Sequence, residues 1–137
     1  LRWAREHVGS FGASYDYADA SFTGGAYKDN TVPLAPQHLV TVNGEVCLFA
    51  DLSALGTVRY VSSQYSGSDF ANTEEKLRPY ATLDLALRYE PSQLKGLNVL
   101  AGVDNVTDRE YAYCSFYGSS YYPASGRTWK LCASYTF

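Results

Sequence analysis

The sequence contains no methionine and only two histidines, three cysteines and five prolines in 137 residues. His7 and His38 have no partner at metal or triad spacing, and no G-x-S-x-G or P-loop run occurs. No catalytic residue, metal site or cofactor is therefore expected, an enzyme has almost no support, and both histidines read as turn or loop residues. Cys47, Cys114 and Cys132 are odd in number and lack the C-x-x-C spacing of redox and zinc centres, so a disulfide framework is not expected. Charge of one sign is also missing: the formal net charge is -3 and the signs are mixed, which leaves no basic patch for nucleic acid. No run approaches the roughly 18 apolar residues of a spanning helix. A membrane β-barrel stays open, because its strands are only half apolar. With Leu1 in place of an initiator methionine and no signal peptide, the chain reads as a mature fragment or an excised segment.

What the sequence does hold is 13 Tyr, 6 Phe, 2 Trp and 11 Gly, an inventory suited to strands and turns. Six segments alternate with a period of two: Gly9 to Ala20, His38 to Leu48, Leu55 to Tyr65, Ala81 to Glu90, Leu97 to Val106 and Thr128 to Phe137. In the fourth, Leu83, Leu85, Leu87 and Tyr89 share a face opposite Thr82, Asp84, Ala86, Arg88 and Glu90. In the last, Trp129, Leu131, Ala133, Tyr135 and Phe137 do the same against Thr128, Lys130, Cys132, Ser134 and Thr136. Alternation alone fits any half-buried antiparallel sheet. The connections add information because they alternate long (Asp19 to Gln37), short (Asp51 to Ala54), long (Ser66 to Tyr80), short (Pro91 to Gly96) and long (Thr107 to Arg127). Outer-membrane barrels have this pattern, with short periplasmic turns and long exterior loops. Length agrees: the eight steps from Trp129 to Phe137, tilted by about 40°, rise about 20 Å, close to an apolar band of roughly 25 Å between aromatic girdles.

Within the loops, Asp104, Asp108, Arg109 and Glu110 suit a turn whose side chains cap backbone amides better than a carboxylate centre. The aromatic run Tyr111, Tyr113, Phe116, Tyr117, Tyr121 and Tyr122 offers rigid, amphipathic contact area for a ligand, with girdle or loop packing as the competing use. Arg127 pairs with a loop carboxylate or attracts an anionic ligand. If Phe137 lies near Leu97, Cys132 falls opposite about Gly102, well below Cys114, which argues against a bond between them.

Several stretches resemble the C-terminal end of TonB-dependent outer-membrane receptors. "GLNVLAGVDNVTDREY" (Gly96 to Tyr111) is similar to that family's penultimate strand, and "YYPASGRTWKLCASYTF" (Tyr121 to Phe137) to its Y-x-P-G-R loop and final strand. "GASYDYADASF", "VPLAPQH", "VRYVSSQYSGSD" and "LRPYATLDLALRY" match the expected neighbours in order. Val106-Thr107 and Ala124-Ser125-Gly126 depart from the pattern.

The resemblance implies an all-β fold, with residues 1–137 forming about six C-terminal strands of a transmembrane barrel of about 22 strands, without its plug domain. It implies the outer membrane of a Gram-negative bacterium and uptake of a scarce solute such as a ferric siderophore, haem or cobalamin. Implied partners are the remaining barrel and plug, the TonB complex, outer-membrane lipid and the barrel-assembly machinery, for which Leu131, Ala133, Tyr135 and Phe137 would be the signal. Ligand-contact candidates in the last exterior loop are Tyr113, Phe116, Tyr117, Tyr121, Tyr122 and Arg127. The rival is a soluble antiparallel β-domain acting as a binding or adhesion module, which requires the Leu83-Leu85-Leu87 row to be covered by a second sheet.

Overall fold

The computed structural model describes residues 2–5, 9–116 and 120–137, and His7 and Tyr117 lie outside them. Nine strands are present among the described residues: β1 (Arg2–Arg5), β2 (Gly9–Tyr17), β3 (His38–Phe49), β4 (Leu52–Val61), β5 (Tyr80–Tyr89), β6 (Leu97–Asp104), β7 (Ala112–Phe116), β8 (Ser120–Pro123) and β9 (Thr128–Tyr135). Seven form one antiparallel sheet in the order β1-β2-β3-β4-β5-β6-β9, while β7 and β8 form a separate hairpin. The six expected segments are all present with altered ends. β1 and the β7–β8 hairpin are additions that the alternation did not reveal. β4 also starts earlier than expected, leaving residues 50 and 51 as the turn after β3. His38 is a strand residue rather than a turn residue, and its Nδ1 lies 2.9 Å from the Tyr15 hydroxyl.

Register aligns the alternating faces across the sheet. Phe11, Gly44, Gly56, Leu85, Val103 and Trp129 are successive Cα partners on one face. One step along, Ser10, Glu45, Leu55, Ala86, Gly102 and Lys130 are partners on the other. Slipping any strand by one residue would exchange its two faces, so the apolar pattern itself selects this pairing. Tyr135, not Phe137, pairs with Leu97, which places Cys132 opposite Leu100 rather than Gly102. All three cysteines are free.

The apolar face has nothing over it. Leu85 and Leu87 are 46% and 47% exposed, and Val61 is the one buried hydrophobic residue among those described. A soluble sandwich would cover this row with a second sheet. Burial of apolar area at about 25 cal/mol per Å² is what stabilises such a fold in water, so an uncovered sheet face of this size requires an apolar solvent. Aromatic residues edge the face at both ends: Tyr15, Tyr17 and Tyr60 at one, Phe49, Tyr89 and Tyr135 at the other. The opposite face is polar and bonded to itself. Arg88 forms ion pairs with Glu45 and Glu90, Lys130 pairs with Asp104, and Asn98 donates to Glu90 at 2.9 Å.

Turns and loops segregate by length. Residues 50–51 and 90–96 connect strands at one end, and 18–37, 62–79 and 105–127 at the other. Gly96 ends the second turn at φ +94°, and any Cβ there would strike the Thr136 carbonyl. A glycine is therefore required where β6 begins.

Candidate functional site

The long loops hold most of the protein's buried polar side chains: Gln64, Ser66, Asp69, Asn105 and Ser115. The first four bond through their side chains, as burial demands, and Ser115 accepts two bonds at its carbonyl. The Asp69 carboxylate accepts the amides of Thr73 and Glu74, both at 2.9 Å, and shapes the second loop. Asn105, at φ 50°, starts the third. Its amide donates to Asp84 Oδ1 at 2.7 Å, and its side chain accepts from Arg109 N and donates to Arg109 O, each at 2.9 Å. Asp108 Oδ1 accepts the Arg127 amide at 2.7 Å. The Asp104 to Glu110 stretch is thus a capped turn, as its composition suggested, and Arg127 meets a loop carboxylate through its backbone.

Between the second and third loops lies a polar cleft of about 460 Å³. Glu75, Lys76, Arg78 and Tyr80 line it from the second loop and the start of β5, and Arg109, Glu110, Tyr111 and Tyr121 from the third loop. Arg78 is placed by the continuation of the β4–β5 ladder through the Gln64–Leu77 bridge, Arg109 by the two bonds to Asn105. No carboxylate lies within ion-pair distance of Arg78 or Arg109 among the described residues, while Lys76 sits 4.5 Å from the centroid of the Tyr65 ring. At the base, Tyr80 and Tyr111 stack with centroids 3.9 Å apart, and Tyr113 meets Tyr111 edge-on at 5.4 Å. The cleft can therefore offer free guanidinium groups beside a wall of phenol rings, a combination suited to an anionic solute with planar parts.

Burial raises the Tyr111 pKa above its ordinary value, and the hydrogen bond and charge of Tyr113 add to this, against the opposing pull of Arg59. A phenol whose pKa is raised on folding binds its proton more tightly in the folded state. Its contribution is intact below the unfolded tyrosine value of about 10 and is lost as pH rises beyond it. In a spectrophotometric titration, the Tyr111→Phe protein is expected to lose a phenol that ionises above the ordinary tyrosine range; an unchanged alkaline end of the curve would contradict this placement.

The loop candidates separate. Tyr121 lines the cleft and Tyr113 supports it through Tyr111. Phe116 and Tyr122 instead pack edge-to-face with each other at 5.9 Å. Tyr117 is outside the described residues. Lys76 and Arg78 escaped the sequence reading, and Arg109 entered it only as part of the Asp104 to Glu110 turn, although their lack of strand-face alternation partners in two long loops was a usable signal. Leu131, Ala133 and Tyr135 lie on the uncovered row of β9, with Phe137 edge-on to Tyr135 at 5.2 Å.

A single antiparallel sheet, apolar outside, polar inside, edged by aromatics and carrying long loops at one end only, is a section of an outer-membrane β-barrel wall. The match is specific: the family described as TonB dependent receptor-like, beta-barrel, matches residues 1–106. The chain belongs to that family, whose members are outer-membrane proteins of Gram-negative bacteria and are transport receptors rather than an enzyme class. Similar solved structures include the ferric citrate transporter FecA, at 25% identity and TM-score 0.82, with 94% of this chain and 21% of that one covered. The ferric-catecholate import receptor Fiu from E. coli K12 is 25% identical with TM-score 0.78, covering 95% and 19%. The ferric yersiniabactin uptake receptor FyuA from Yersinia pestis shares 23% identity and the fold at TM-score 0.80, covering 99% and 22%. No curated protein matches by sequence. The chain spans about a fifth of the length of the solved structures that it matches.

Proposed function

We propose that this chain is the C-terminal wall of a receptor for TonB-dependent uptake of a scarce anionic solute, an iron chelate such as a ferric siderophore in the first instance. The observation that carries the reading is the cleft at the loop end of the wall, where Arg78 and Arg109, without an ion-pair partner among the described residues, stand beside Tyr80, Tyr111 and Tyr121. Similarity to FecA and Fiu, whose names give ferric citrate and ferric catecholates, supports the same solute class. Entry would occur at the loop end, with the polar face of the sheet lining the lumen around a plug supplied by the rest of the receptor. The energy would come from the TonB complex. Leu131, Ala133, Tyr135 and Phe137 would present the terminal-strand signal to the barrel-assembly machinery.

Uptake of radioiron from a panel of chelates, by cells carrying the full-length receptor, tests this. Accumulation of at least one chelate is expected to require both the receptor and TonB. Replacing two charge-assisted contacts with neutral ones in the Arg78→Gln/Arg109→Gln double variant should weaken its half-saturation about tenfold or more, with unchanged receptor in the membrane. TonB-independent uptake, or an indifferent double variant, would count against the proposal.

A further inference from the structure

We infer that the three long loops at this wall are a single rigid body, so that the cleft is preformed and the β7–β8 hairpin is not an independent flap. The inference needs the barrel fold but not the identity of the solute.

Two seams join the loops. Along the first, the Gly67 amide and the Ser66 hydroxyl both donate to the Ser115 carbonyl, at 2.7 and 3.0 Å, and Gln64 Nε2 donates to the Tyr113 carbonyl at 3.1 Å. Ser66 and Ser115 are each 2% exposed. Gly67 leaves room for the Phe116 ring, whose Cε1 would lie 2.6 Å from a Cβ there. Along the second seam, the Asn72 side chain imitates a strand: Oδ1 accepts the Thr31 amide at 2.7 Å and Nδ2 donates to the Thr31 carbonyl at 3.0 Å. Asn30 Nδ2 donates to the Phe70 carbonyl at 2.9 Å, and the Leu34 amide to the Tyr65 carbonyl at 3.1 Å. The Phe70 ring packs against Phe22 and Tyr27, with centroids 6.0 and 5.8 Å away.

Opening the first seam would strand the Ser115 carbonyl, which lies on a residue 2% exposed, and unmade buried bonds are costly; opening the second would break the paired, part-buried Asn72–Thr31 bonds together. The second loop takes part in both seams and is held internally by Asp69. Loosening one seam therefore frees the segment that carries the other, the condition for one cooperative opening unit. If capture closes the entrance, the closing element belongs to receptor loops outside this chain.

Native-state hydrogen exchange on the full-length receptor in detergent micelles tests this with two amides, Thr31 in one seam and Gly67 in the other. One body predicts that both exchange at least about a hundredfold more slowly than an open loop, and that mild denaturant brings their opening energies together. It also predicts that Asn72→Ala accelerates exchange at Gly67 and through 112–116 as well as at Thr31. Fast exchange at Gly67, separate opening energies in the wild type, or acceleration confined to Thr31 and 69–74 would overturn it. The wild-type comparison decides even if the variant does not assemble.

Discussion

Leu85→Arg is expected to destabilise the assembled receptor by about 2–4 kcal/mol, the cost of an arginine facing the bilayer midplane. Leu85 is central in β5, and its row runs through Phe11, Gly44, Gly56, Val103 and Trp129 without a polar group to receive a guanidinium. The control is Thr57→Arg, next along β4 from Leu85's partner Gly56 but on the polar face, over a hollow of about 660 Å³. That arginine has water and Asp84 nearby, and should change stability by less than about 1 kcal/mol. Unfolding in lipid vesicles, followed by the loss of heat-resistant gel mobility, measures both. Equal costs for the two arginines would mean that the uncovered face does not meet lipid.

The second large effect is expected at Asn105, which is 4% exposed. Replacement by Ala leaves Arg109's amide and carbonyl without partners and puts a Cβ-bearing residue with no local hydrogen bond at φ 50°. Together these cost about 2–4 kcal/mol. The two terms separate experimentally: Asn105→Gly keeps the backbone freedom and should recover about 1 kcal/mol, while Asn105→Asp keeps the acceptor for Arg109 N and loses the donor. Because Arg109 is placed by this residue, weaker solute binding should accompany the lost stability in the same order of variants. An Ala variant as stable as the wild type would show that the turn is not held by this side chain.

The sheet was legible because two physical rules act on every residue of it. Alternation assigns each side chain to lipid or lumen, and the change from short to long connections orients the strands. Leu83, Leu85 and Leu87 against Thr82, Asp84 and Ala86 gave both face and class. The Asp104 to Glu110 turn was legible for a similar local reason, since Asn and Asp cap amides within a few residues. The loop layer was not legible. Its bonds run from side chains to backbone atoms tens of residues away, as from Asn72 to Thr31 and Gln64 to Tyr113, and no periodicity marks them. The cleft was missed for the same reason: Arg78 and Arg109 come from different loops and meet only because Tyr80 stacks on Tyr111. His38 misled because a polar residue at a strand's first position looks like loop, while its partner Tyr15 belongs to the preceding strand, β2.

The stitching of residues 18–37, 62–79 and 112–116 also determines what the cell surface displays. An antibody that binds this part of the receptor on intact cells would recognise a discontinuous epitope assembled from separate stretches of chain. A synthetic peptide copying one loop lacks the neighbours that hold its shape, so serum raised against it should stain denatured receptor on a blot and pass over living bacteria. For a vaccine or a diagnostic reagent, the smallest useful antigen from this region is the folded wall.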